Sequence, residues 1–216
     1  MTKENPMSDT PSFPDVSPTS VADLVGEEQV LDPVIGPLWA GVPRVIGPAY
    51  AVRCAPGDNL MMHAAIYRAA PGSVIVVESG GSRLAVAGGN VCAVAQRRGI
   101  AAFVVDGHIR DLQEVREMGF PVFARGAFPK PGGKNRLSPQ GEAVVGGVTV
   151  RTGDIVVADE EGIVILDAGS SADLLRTAAE REATESAQTL DDWELSHRRK
   201  IETALTAGGD TQGLPD

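Results

Sequence analysis

The sequence has 216 residues, 43% of them hydrophobic and only 4% aromatic, with 19 Lys plus Arg against 29 Asp plus Glu and a formal net charge of −10. That is enough apolar chain for one domain with its own core, and it excludes a chain disordered throughout. The acidic excess argues against general binding to nucleic-acid phosphates, although one well-placed arginine still suffices for a small anionic ligand.

The first twenty residues are polar and proline-rich, without the basic start and apolar core of a signal peptide. Residues 1–19 are expected to form a disordered tail, with Met7 as an alternative start. No run approaches membrane-spanning length. The two cysteines, Cys54 and Cys92, form no CxxC pair, and a cytoplasmic protein is expected.

A helix is predicted over residues 21–32, behind Thr19 and Ser20, with Asp23 supporting its cap. Residues 33–52 are rich in Gly and Pro and read as turns with short strands. Pro56-Gly57-Asp58 is a turn ending in a helix cap, and the helix it starts is stopped by Pro71-Gly72. Strands follow at 73–77, 84–87, 100–106 and 120–124, with helices at 90–98 and 111–118 between them. Short strand–helix–strand units of this kind predict parallel pairing with right-handed crossovers.

From Glu142 the texture changes. Residues 143–150, 154–159 and 162–167 read as three short strands of an antiparallel hairpin set, and residues 170–207 as a charged helical region. There is no internal repeat. The expected class is α/β in layers with mixed strand directions, in one domain over residues 20–168. The helical region, 169–207, would pack on that domain or on a neighbouring subunit, and 208–216 would be a second disordered tail.

The most informative spacing is Gly89, twenty residues, Arg110-Asp111, two residues, Glu114. A helix and a strand lie between its ends, so both ends return to one edge of a sheet. Gly88-Gly89-Asn90-Val91 opens a helix whose free N–H groups suit an anion, and glycine lets a ligand approach the backbone. Arg110 precedes another helix start, where a positive charge opposes the helix dipole unless a bound carboxylate offsets it. Asp111 is placed to hold Mg²⁺ or Mn²⁺, directly or through waters. The competing reading makes Asp111 and Glu114 a capping box.

Around this set, Asp106 is a candidate to orient the loop or hold water on the ion, and His108 reads as a loop residue. His63 reads as a packed or surface histidine. Lys130, Lys134 and Arg136 form a basic loop, solvated or serving as a lid over an anionic substrate.

The segments GGN, RGIAAFVVDGHIRDLQEVREMGFPVFARG and GGVTVRTGDIVVADEEGIVIL resemble the RraA-like family, over roughly residues 20–190. That family includes ribonuclease-activity regulator A and divalent-metal-dependent 4-hydroxy-4-methyl-2-oxoglutarate/4-carboxy-4-hydroxy-2-oxoadipate aldolases. Gly89, Arg110, Asp111 and Glu114 match the spacing that marks the aldolase branch.

The resemblance implies a swivelling β/β/α domain, assembled as trimers or hexamers with sites between subunits. It implies that Arg110 binds the carboxylate or oxo group of a pyruvoyl unit. Asp111 would anchor a hydrated metal, and the N–H groups of Asn90 and Val91 would hold the oxo-acid end. This chain departs from many aldolases in having Gly89 where they carry an acid, and Asn90-Val91 where they carry two leucines. A further acid is expected from a neighbouring subunit, with Glu182 and Glu185 as candidates.

The implied reaction is retro-aldol cleavage of a 4-hydroxy-2-oxo acid to pyruvate, with decarboxylation of oxaloacetate as a side activity. Water or hydroxide held by the ion is the expected base for the C4 hydroxyl, and no lysine is placed for a Schiff base. The alternative is a non-catalytic protein that binds and regulates an RNA-processing endonuclease. Methyl transfer to a quinone lacks support, because no nucleoside-binding glycine fingerprint is followed by a ribose-binding acid.

Overall fold

The structure, a computed structural model, describes residues 13–209. The expected tails therefore lie largely outside the described residues, whereas Val16 is fully buried. Ser17 caps the first helix, α1 (Pro18–Ala22), accepting the N–H of Ser20 at 3.2 Å, with Pro18 at a position that needs no donor. The continuous helix predicted over 21–32 does not form. Gly26 is extended (φ −83°, ψ 162°), and only one 3-10 turn, Glu27–Gln29, follows it.

The chain continues through β1 (Gly36–Pro37), β2 (Val45–Arg53), α2 (Leu60–Arg68), β3 (Val74–Glu78), β4 (Ala85–Ala87) and α3 (Gly89–Arg97). Next come β5 (Ala102–Ile109), α4 (Leu112–Glu117) and β6 (Val122–Ala127). The C-terminal part holds β7 (Glu142–Val145), β8 (Val148–Arg151), β9 (Ile155–Asp159), β10 (Gly162–Leu166), α5 (Ser171–Ser186) and α6 (Leu190–Ala207).

The main sheet runs β1-β6-β5-β3-β2-β9-β10, with β4 paired to β5 beside this path. β2, β3, β5 and β6 are parallel, as the strand–helix rhythm predicts. β1, β9 and β10 join antiparallel. Residues 143–150 are not one strand. Gly146 and Gly147 take positive φ (54° and 83°) and turn β7 into β8, a two-stranded sheet apart from β9 and β10.

Strand β3 explains the layering. Val74, Ile75, Val76 and Val77 are all fully buried. Ile75 and Val77 share a core with Met62, Phe103, Phe120 and Val122, on the side of the helices. Val74 and Val76 share another with Val104, Phe123, Val145 and Val150, on the side of the β7–β8 hairpin. Because side chains alternate along a strand, an unbroken apolar run marks a sheet covered on both faces. A third cluster joins α1 and α5 to β9 and β10 through Val21, Leu175, Val157 and Leu166. Helix α6 buries none of its side chains. Among the described residues, no helix is long and apolar enough to cross a membrane.

Phe103 is fully buried and meets Phe120 edge-on, with ring centroids 4.8 Å apart. Phe103→Ala is expected to cost about 3–5 kcal/mol through lost burial and a residual cavity. A urea midpoint shift at unchanged m-value would show it, and a loss below about 1 kcal/mol would contradict this packing.

Candidate active site

Strand β5 is longer than its apolar run suggests. It continues to Ile109 through a register shift after Val105, and its second half pairs with β4 instead of β3. Asp106-Gly107-His108 is therefore strand and not loop. The pairing sets Ala87 opposite Ile109, and the N–H of Arg110 donates to the Ala87 carbonyl at 3.0 Å. Two parallel neighbours thus end side by side, and α3 and α4 start side by side beyond them. Ligands bind at such carboxyl ends in α/β sheets.

Asp111 occupies the tight link between β5 and α4. It is the one non-glycine residue of positive φ among the described residues (φ 58°, ψ 39°). Its side chain makes no helix-capping bond, so the capping-box reading does not hold. Instead Oδ2 accepts the N–H of Gly89 at 3.1 Å and lies 3.5 Å from Nε of Arg110. Asp111 reaches across to the start of α3, with Arg110 drawn beside it. Both side chains stay partly open to solvent, 42% for Arg110 and 37% for Asp111. Their ion pair is worth little to stability at that exposure.

The two glycines are required by close approach. A Cβ on Gly88 would lie 2.5 Å from Oδ2 of Asp111 and 2.9 Å from Cγ of Arg110. A Cβ on Gly89 would meet the carboxylate of Glu114. Gly88 itself is extended (φ −162°), a conformation any residue adopts. Gly88→Ala is therefore expected to leave thermal stability almost unchanged while displacing Arg110 and Asp111. A misplacement of that order costs up to about 10²-fold in turnover. Parallel melting curves and assays of the activity proposed below would check it, and an unchanged activity would contradict the crowding.

Arg110 and Asp111 border a cavity of about 60 Å³ with Gly88, Asn90, Val91, Asn59, His63 and Lys134. The sequence places the first five of these residues at the site. Asn59 and His63 are additions. Asn59 is 2% exposed, and its Oδ1 has no hydrogen-bond partner. A buried orphan of this kind costs about 1–3 kcal/mol. The weak sequence signal for the pair was a histidine four residues after a helix-opening Asn, which puts both on one helix face. Burial, and then the charge of Lys134, push the His63 pKa down, against weaker pulls from the Val86 carbonyl and Asp58.

Other candidates fall elsewhere. Asp106 is ion-paired with Arg125 and accepts the N–H of Gly146 at 2.9 Å. It borders a separate cavity with His108 and Arg83, so a role holding water on an ion at Asp111 is not what its position offers. Arg136 points to the Pro56 carbonyl (3.3 Å), and Lys130 does not line the cavity, so only Lys134 of the basic loop reaches it. Glu182 accepts the N–H of Ser17 at 3.3 Å, and Glu185 lies 3.8 Å from Arg181. Cys54 and Cys92 are buried, and burial lifts their thiols to about 11 and about 12, so both are unreactive core residues.

Comparison with known proteins shows the family. The sequence pattern of the RraA-like family, described as Aldolase/RraA, matches residues 10–165. A protein of Halalkalibacterium halodurans, provisionally named 4-hydroxy-4-methyl-2-oxoglutarate aldolase, is 35% identical over 178 residues, covering 82% of this chain and 84% of its own. One of the same provisional name from Albidiferax ferrireducens is 38% identical over 168 residues, 72% of this chain and 96% of its own. The solved structure of the RNA-processing inhibitor RraA from Thermus thermophilis superposes with a TM-score of 0.64 at 31% identity, covering 71% of this chain and 93% of that one. The chain belongs to the RraA-like family.

Proposed function

We propose that the protein is a divalent-metal-dependent (class II) pyruvate aldolase. Its substrate would be a 4-hydroxy-2-oxo acid such as 4-hydroxy-4-methyl-2-oxoglutarate, and it would decarboxylate oxaloacetate as a side reaction. The observation that carries this reading is the meeting of Arg110, Asp111 and the open start of α3 around one cavity.

The donor set fits a hydrated Mg²⁺ or Mn²⁺. Among the described residues no three His, Cys, Asp or Glu side chains cluster, so a metal caged wholly by protein is not what this site offers. A hard dication that keeps most of its waters needs one or two carboxylates and takes its remaining ligands from the substrate. Asp111 is the carboxylate in place for it, with Glu114 beside Gly89. When bound, such an ion supplies Lewis-acid stabilisation of charge on the 2-oxo group.

The residues do the rest. The N–H groups of Asn90 and Val91, at the start of α3, hold the carboxylate of the pyruvoyl unit. Arg110 pairs with the same end and stabilises the negative charge that builds on the oxo oxygen as the C3–C4 bond breaks. Gly88 and Gly89 let Asp111, Arg110 and Glu114 close on the start of α3. Oxaloacetate passes through the same pyruvate enolate when it loses CO₂, so one site serves both reactions. Assembly with further copies is supported by the apolar side chains that α6 leaves exposed, Leu190 at 77% and Trp193 at 48%, and a trimer or hexamer is the proposed form.

Pyruvate release from both oxo acids, followed with Mg²⁺ and again after chelation, tests the reading. Release is expected only with the metal. Metal-independent release would overturn the metal requirement, and no release at all would favour the second reading, a regulator of an RNA-processing endonuclease, which the likeness to the Thermus inhibitor supports.

A further inference from the structure

One part of the cavity lining is left unused by the reading above. It is formed by Asn59 and His63. Asn59 leaves its side-chain oxygen unpartnered. Its Nδ2 faces the Ala85 carbonyl at 3.5 Å, which fixes Oδ1 as the other amide atom. Its N–H donates to the Gly133 carbonyl at 2.7 Å. The carboxylate of the preceding Asp58 accepts from Leu60 (2.8 Å) and from Asn135 (2.8 Å), clamping the start of α2 to the loop that carries Lys134. An acceptor held this firmly without a donor is open to one supplied from the cavity, by water or by a ligand.

His63 stands one turn further along α2 on the same face, so it borders the cavity beside Asn59. The groups that face it are Lys134 and Asp58, with Arg110 and Asp111 lining the same cavity. Burial and the neighbouring ammonium keep the ring neutral near pH 7. One ring nitrogen then carries an N–H and the other a lone pair. Two acceptors at one end of a site select a donor. With its carboxylates ionised, a 4-hydroxy-2-oxo acid has a single donor, the C4 hydroxyl.

We propose that Asn59 and His63 form the half of the site that acts on C4, with Asn59 holding the hydroxyl and His63 taking its proton. The inference rests on the aldolase reading and replaces the solvent base expected from the sequence. As the O–H proton passes to the imidazole, the oxygen lone pair forms the C4 carbonyl. The C3–C4 bond breaks, and its electron pair becomes the pyruvate enolate beside Arg110. The imidazolium then returns the proton to C3, giving pyruvate and a second oxo acid.

Oxaloacetate has no hydroxyl at C4, so its decarboxylation separates the two halves of the site. His63→Gln is expected to lower kcat/KM for 4-hydroxy-4-methyl-2-oxoglutarate by about 10²-fold or more, the usual worth of a general base. The ratio of cleavage to decarboxylation should fall by a similar factor, and the acid limb of the cleavage pH profile should disappear. Asn59→Ser, which keeps a small polar group, should lower the same ratio by raising KM for the hydroxy acid. Equal losses in both reactions would overturn the proposal, because His63 would then serve the fold or the pyruvate half. No loss in either would overturn it as well. A wild-type protein that releases pyruvate from neither compound would refute the aldolase reading itself. Wild-type turnover of oxaloacetate alone would leave that catalytic centre standing and remove the C4 assignment.

Discussion

Arg110→Ala is expected to lower turnover by about 10²–10³-fold, the usual cost of removing one donor from a preorganised site for developing negative charge. The loss should appear in both hydroxy-acid cleavage and oxaloacetate decarboxylation, because both build charge on the same oxo oxygen. Stability should hardly move. Among the described residues the one ion-pair partner of Arg110 is Asp111 at 3.5 Å, with both groups partly exposed, so the pair is worth less than about 1 kcal/mol. The position is also unfavourable in the free protein, since a cation at the start of α4 opposes the dipole of the helix. An unchanged or slightly raised melting temperature with crippled turnover therefore marks a residue kept for its ligand. Arg110→Lys keeps the charge but loses the planar fork, so it should recover only part of the activity. Near-normal pyruvate release from the alanine variant would place the chemistry elsewhere.

Arg110 was legible in the sequence because its partners are local. Gly89 and Arg110 close one helix–strand unit, and parallel pairing of β4 with β5 returns both to the same edge. The parallel strands were legible for a similar reason: a sheet buried on both faces leaves unbroken apolar runs such as residues 74–77, whatever the rest of the chain does. The β7–β8 turn was hidden because Gly146-Gly147 interrupts an apolar run without adding a polar residue.

Asn59 and His63 were illegible for the opposite reason. They reach the site only because α2 and the loop around Gly133 are clamped together through Asp58 and Asn135, contacts spanning more than seventy residues of sequence. Asp106 misled because its spacing from Arg110 suggests one loop, whereas the register shift in β5 turns it toward Arg125 and Gly146. Local spacing thus located the half of the cavity built by one chain unit, and tertiary contacts supplied the other half.

Asp111 gives the sharpest test of the metal assignment, because its backbone and its side chain make opposite demands. A left-handed conformation costs a residue such as alanine about 1–2 kcal/mol relative to glycine, and Asp or Asn a part of that. Asp111 bears its part at φ 58°, and makes no capping bond in return. The strain holds its carboxylate over the N–H of Gly89, beside Arg110. Asp111→Ala keeps the strained backbone and loses the carboxylate, so it should be both inactive and less stable. Asp111→Gly relieves the strain at the expense of a more flexible unfolded chain, so it should melt above the alanine variant, by up to about 1 kcal/mol of stability. Neither variant should respond to added Mg²⁺ or Mn²⁺ in pyruvate release. Asp111→Asn tolerates the same backbone and still accepts from Gly89, so it isolates the missing charge, and it too should show no metal response. If the glycine variant were the more stable of the pair yet still released pyruvate on adding metal, the strained backbone would have another purpose and the ion would sit on another carboxylate, Glu114 first among them.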